Sequence, residues 1–324
     1  MAESSMCSGR LALVLAGCLA LAAPAAACDV PVFRYALERW PADDYDLVVF
    51  SSGEPDAKLR GALARLEEAR AAGTNITVHI AEPSVSDEGS AVLSCRRPGG
   101  PPLVLWSGAL TPESADAIVD SPARERIAEL LTGGVSAVWV LLQCGDAERD
   151  ERARALLVPE LARAPEMAER MEGSARFYAP AADGEGPALR LDFPLVVVPA
   201  ADADEELLRA VLRASEPDLL AGYASEPAVF PVFGRGRVLY ALVGKGINAP
   251  NVRGACAFLA GPCACEIKDS SRGLDLLIQA RWDDAISEPI VDDTAAPLTS
   301  IGAILELEAE AGADAPSDMG EEGQ

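Results

Sequence analysis

Residues 226–246, EPAVFPVFGRGRVLYALVGKG, set two apolar runs on either side of a glycine-rich turn, a pattern that a β-sheet accommodates and a helix does not. Val229 to Phe233 and Val238 to Val243 are rich in β-branched and aromatic residues. Gly234 and Gly236 supply the positive φ that a tight turn needs, so the stretch reads as a β-hairpin. Pro231 lies inside the first strand. Because proline has no N–H to give to a ladder, it predicts a sheet edge, a bulge or a cis bond at Phe230-Pro231.

The remainder of the chain reads as an alternation of short apolar strands and capped helices. Asp46 to Phe50 is a buried strand signal. It leads into a helix opened by Glu54-Pro55-Asp56, with Leu59, Ala62, Leu63 and Leu66 on one face and Gly73 as its stop. Ile76 to Ile80 is a strand, Pro83 to Gly100 a polar loop, and Pro102 to Trp106 a further strand. Thr111-Pro112 and Ser121-Pro122 are cap-then-proline helix starts. In the second half, Ser136 to Leu142 and Phe193 to Val198 are strands. Ala147 to about Gly173 is helical, with Pro159 and Pro165 as interruptions. Asp202 to Ala214 is a helix carrying Leu207, Leu208, Val211 and Leu212 on its apolar face. After the hairpin, Asn248 and Pro250 open a last helix.

Charge and the N-terminus bound where such a chain works. The 324 residues hold 27 Lys+Arg against 51 Asp+Glu, a net charge of −24 that excludes nucleic acid and an anionic membrane surface as natural partners. Asp283 to Gln324 contains 12 of those acids and no Lys or Arg, and reads as a solvated acidic tail in which only Ser300 to Leu307 could fold on a partner. The apolar run Leu11 to Ala27 after Arg10 reads as an export signal. Ala25-Ala26-Ala27 before Cys28 and Leu15-Ala16-Gly17 before Cys18 both resemble bacterial lipobox sites. Cys28 is the preferred lipidation and cleavage site and Cys18 the alternative. Export also makes disulfides permissible among the eight cysteines.

From Ser136 onward the order is strand, helix, strand, helix, strand, strand, helix, and FPVFGRGRVLYALVGKG resembles the thioredoxin segment in which a cis-proline strand turns through glycine into its antiparallel partner. The resemblance implies an α/β fold of two thioredoxin-like units in tandem, with helices on both faces of mixed sheets. The units would be 28–134, an abbreviated copy with Pro102 in the proline's place, and 135–282, flanked by a signal peptide at 1–27 and the tail at 283–324. The opening VPVFRYALERW, the strand SAVWVLL and the late GPCACEIK also resemble an uncharacterised family of exported bacterial proteins of planctomycete type, which carries no assigned activity.

A thioredoxin-like enzyme needs CxxC where the first strand meets its helix. The second half offers Gln143-Cys144-Gly145-Asp146-Ala147, with alanine in the resolving position, and the first half offers Ser51-Ser52-Gly53-Glu54. Cys144 facing Pro231 is therefore a candidate thiol without a partner. Cys256, Cys263 and Cys265 are candidates for a disulfide pinning the last helix, or for a redox or metal-handling CxC pair. His79 is the sole histidine and has no partner motif. The glycines around Arg235 lack the following helix of a phosphate loop. No cofactor or metal site is expected. The combined reading is an exported, lipid-anchored, non-catalytic binding or scaffold protein with a protein or peptide partner. The alternative is a thiol-disulfide oxidoreductase or metal-handling protein using Cys144 or the Cys263/Cys265 pair.

Overall fold

The computed structural model describes residues 30–83, 89–96, 101–168, 190–216, 222–262, 273–286 and 289–290. Helix starts fall where the sequence provides caps. Asp56 accepts from Leu59 N to open α2 (Ala57–Ala71), Thr111 and Ser121 cap α3 (Pro112–Val119) and α4 (Pro122–Thr132), and Asn248 caps α7 (Ala249–Ala260). Between them lie α1 (Val32–Arg39), α5 (Ala147–Ala168) and α6 (Glu206–Ser215). α5 runs through Pro159 and Pro165 without a break, where the sequence predicts interruptions; Pro159 sits on its exposed side. Residues 169–173, the predicted end of this helix, lie outside the described part.

The strands form two mixed sheets. In the first, β1 (Tyr45–Phe50) runs parallel to β2 (Ile76–Ala81) and antiparallel to β3 (Ser90–Cys95), which pairs with β4 (Leu103–Ala109). In the second, β5 (Val138–Leu142) runs parallel to β6 (Leu195–Val198) and antiparallel to β7 (Ala228–Phe233), which pairs with β8 (Arg237–Val238) and β9 (Leu242–Val243). Both sheets thus have the spatial order second, first, third, fourth, with the same strand senses. The loop predicted over Pro83 to Gly100 contains β3, the strand that the sequence reading leaves out of the first half, and the strand predicted over Pro102 to Trp106 is its antiparallel partner β4. Pro102 precedes β4 and occupies no central strand.

One core joins the halves. Tyr45, Leu47 and Val49 of β1 and Leu93 of β3 pack with α2, α3, α4 and α6 against Val138, Val140, Phe230 and Val232 of the second sheet. A second core on the far side of that sheet sets Trp139, Leu141, Val229 and Phe233 against α1, α5 and α7. Helices on both faces therefore describe the second sheet. On the first sheet the alternation of β1 leaves Asp46, Val48 and Phe50 only half-buried, and the outer side among the described residues is open, with His79 and Val104 exposed.

After α7, residues Leu274 to Ile278 return as an extended strap. Val238 N donates to Leu274 O and Leu276 N to Gly236 O, so the strap covers the outer edge of β8. Its other side belongs to the first half. Tyr45 Oη donates to Asp275 O at 2.6 Å, Asn75 Nδ2 to Leu276 O at 3.2 Å, and Ile278 N to Asn75 Oδ1 at 2.9 Å.

Candidate functional site

β5 is buried at all five positions, and the chain leaves it at Gln143 to start α5 four residues later. Gly145, at φ +90°, makes the corner. A helix start presents unpaired amides that favour an anion. Here the protein fills them itself. Asp150, buried in the first turn of α5, accepts from Cys144 N at 2.8 Å through Oδ1 and from Gly145 N at 3.0 Å through Oδ2. Asp146 accepts from the amides of Glu148 and Arg149, both at 3.1 Å. Burial pushes the Cys144 thiol up from its ordinary value. A backbone hydrogen bond at Asp146 opposes the rise, and the carboxylates of Asp150 and Asp146 add to it. Cys144 is half-buried and its thiol is held neutral.

Pro231 does not face it. All described peptide bonds are trans, and Pro231 lies in an interior strand opposite Trp139. Trp139 N donates to Pro194 O on the β6 side, so the β5 ladder never calls on an N–H from Pro231. The gap opens on the other side. Pro231 O accepts from Leu239 N, and pairing shifts by one residue between Val232↔Val238 and Val229↔Leu242, which splits the hairpin's second strand into β8 and β9. Of the three outcomes a strand proline predicts, the bulge is the one found. Trp139 stands three residues, about 10 Å, before the end of β5 that leads to Cys144. The proline at that end is Pro227, adjoining the pair Ala228↔Leu142. Nearby, Leu142, Gln143, Arg213, Tyr223 and Glu226 border a small pocket that includes the buried Phe230, and Glu226 forms an ion pair with Arg149 at 3.1 Å.

The other described cysteines, Cys256 and Cys95, lie in the core. Cys256 is a free, buried cysteine on the inner face of α7, and burial pushes it up to about 12, with the indole of Trp139 pulling slightly the other way. It stands as a core thiol and not as half of a disulfide. Cys95 is buried on β3, its side chain turned into the core. Cys263 and Cys265, and the lipidation candidates Cys28 and Cys18, lie outside the described residues, as do the export signal and the tail from residue 291. His79 is exposed, its Nε2 3.0 Å from Asp46 Oδ1 on the outer side of the first sheet. Among the described residues no group of His, Cys, Asp and Glu could hold a metal ion.

The turn arginines are ties within the fold. Arg235 Nε donates to Leu37 O and Nη2 to Asp283, while Arg237 Nη1 reaches Asp275 at 3.1 Å and Asp43 at 3.2 Å. A second hub was not signalled by any motif. Arg124 on α4, 2 % exposed, donates to Ala117 O and Ile118 O at the end of α3, to Ser121 Oγ and to Leu277 O in the strap. Burial lowers its guanidinium to about 10, opposed by the charges of Asp120 and Glu205. Glu205, also buried, accepts from Ser121 Oγ and Ala123 N, both at 2.7 Å.

No family model, no curated protein and no solved structure matches the chain.

Proposed function

We propose that this chain is an exported, lipid-anchored, non-catalytic binding or scaffold protein of two thioredoxin-like units, engaging a protein or peptide partner at the end of β5. The observation that carries the reading is the pair of hydrogen bonds from Cys144 N and Gly145 N to Asp150. They hold a buried carboxylate beside the thiol, where a thiolate would meet a like charge. A neutral, unpartnered thiol there cannot run disulfide exchange at an ordinary rate. Support for thioredoxin-like units comes from the shared strand order of the two sheets. Support for export and anchoring comes from the apolar run ending at Cys28, and no helix among the described residues is long and apolar enough to cross a membrane.

Alkylation kinetics of Cys144 as a function of pH test the reading directly. The expected thiol titrates above the ordinary cysteine value of 9.0, and the chain does not accelerate reduction of a disulfide substrate. A thiol that alkylates fully below pH 7, together with reductase activity abolished by Cys144→Ser, would overturn it. The mass of the mature chain reports separately on acylation at Cys28.

A further inference from the structure

The two sheets share a strand order but not their cover. The second carries helices on both faces, whereas the outer face of the first is open among the described residues. That face is apolar at its centre. Val48 stands opposite Val92 in the β1–β3 register, with Phe50 two residues along β1 and Val104 on β4 opposite Ser94. Val48, Phe50 and Val92 are half-buried and belong to neither core, and Val104 is 60 % exposed. At one margin Asp46 is divided between His79 Nε2 at 3.0 Å and Arg96 Nε at 3.8 Å. One carboxylate thus serves two bases there, in a chain whose acids outnumber its Lys+Arg by 51 to 27.

The acidic tail contains one apolar segment, SIGAILELEAEAG at 300–312, which the function proposed above does not use. Ile301, Ile304, Leu305 and Ala309 share one side at helical spacing, Ser300 stands in the cap position, Gly312 follows as a stop, and Glu306 and Glu310 fall on the opposite side. A helix over 301–311 is about 16 Å long and about 10 Å wide. Four strands about 4.8 Å apart span about 14 Å, so one such helix fills the face. The tail also starts within reach of it. Ile290 N donates to both carboxylate oxygens of Glu38, at 3.0 and 3.1 Å. Glu38 precedes Asp46 by eight residues, at most about 28 Å of chain, and the eleven residues from Ile290 to Ile301 reach up to about 38 Å. A tethered segment binds intramolecularly, whereas a second copy would bring another net charge of −24 to the same face. We infer that residues 301–311 dock as a helix across the outer face of the first sheet. Ile301, Ile304 and Leu305 then lie on Val48, Val92 and Val104, and Glu308, on the same side of the helix, meets Arg96 and His79 at the charged margin.

Alkylation of the full chain carrying Val92→Cys or Val104→Cys, followed at that site by peptide mapping, reads the cover of the face. Adding Ile301→Asp/Leu305→Asp is expected to speed alkylation at both positions at least tenfold. The rates in the chain without those tail substitutions are expected to stay unchanged on hundredfold dilution. Glu151→Cys, on the exposed side of α5, is expected to react equally fast with and without the tail substitutions. Thermal melting confirms that each variant is folded, and Val104→Cys, at a position already exposed, keeps the test open where Val92→Cys does not fold. The proposal is overturned if the tail substitutions leave both reporter rates unchanged, or if they speed Glu151→Cys as much. It is also overturned if protection fades on dilution and the chain sediments as a dimer, because a second copy then covers the face.

Discussion

Asp150 turns back from the first turn of α5 onto the amides of Cys144 and Gly145 and sets a carboxylate beside the thiol. Asp150→Asn removes the charge and one of two good acceptors. It is expected to lower stability by about 1 kcal/mol, as for loss of a helix-start cap, and to speed alkylation of Cys144 several-fold at pH 8. Unchanged kinetics in a folded variant would show that burial alone holds the thiol neutral. Cys256 gives the pH dependence its sign. Its folded thiol ionises at about 12 against an ordinary 9.0, so the fold favours the neutral form. The stability this lends is whole below pH 9 and is lost as pH rises towards 12. Urea unfolding between pH 8 and 11 should show the advantage of wild type over Cys256→Ala shrinking by about 1.4 kcal/mol per pH unit above 9. A constant difference would place Cys256 in contact with water. Position made Cys144 legible in the sequence, since it follows a buried strand and precedes a helix. Asp150 was not legible, because an acid in a first helical turn ordinarily complements the dipole from the surface and nothing in its spacing says that it turns back onto two amides.

At the scale of elements, caps were the most readable signals and proline the most ambiguous. Pro231 marks a bulge and not an edge, because its bare nitrogen faces β8 and β9 and not β5. β3 was missed for a different reason. SAVLSC carries only two large apolar residues, and its strand character rests on Ala91, Leu93 and Cys95 alternating into the core, with Gly89 and a glycine-rich run on either side. The hairpin tip shows how closely such elements dock. A Cβ on Gly234, at φ +57°, would stand 2.8 Å from Ala36 Cβ on α1, whereas Gly134, at φ +89°, has nothing within 4 Å. Both alanine substitutions carry the left-handed strain of about 1 kcal/mol, and only Gly234→Ala adds an overlap worth roughly 1–3 kcal/mol more. Chemical denaturation of the two variants separates these contributions. Equal losses would mean that α1 yields to the hairpin.

The whole molecule is organised across the boundary that its repeated strand order draws at residue 134. The core continues through it, and the strap at Leu274 to Ile278 satisfies the first half from the far end of the chain. Arg124 concentrates this dependence, since one buried side chain holds the end of α3, the start of α4 and Leu277 in the strap. Replacing it with methionine leaves those carbonyls and the buried Glu205 without their donor or countercharge, a change expected to cost about 3–5 kcal/mol. If the halves were independent, Arg124→Met would shift only the unfolding of the first. With a shared core it should shift both together. Single-tryptophan variants retaining Trp106 on β4 or Trp139 on β5 report on the two sheets. Their urea transitions should coincide in the parent chain and move by the same amount in Arg124→Met, and residues 28–134 expressed alone should lack a cooperative transition. Separate midpoints for the two tryptophans would instead make the sheets independent folding units joined only at their surfaces.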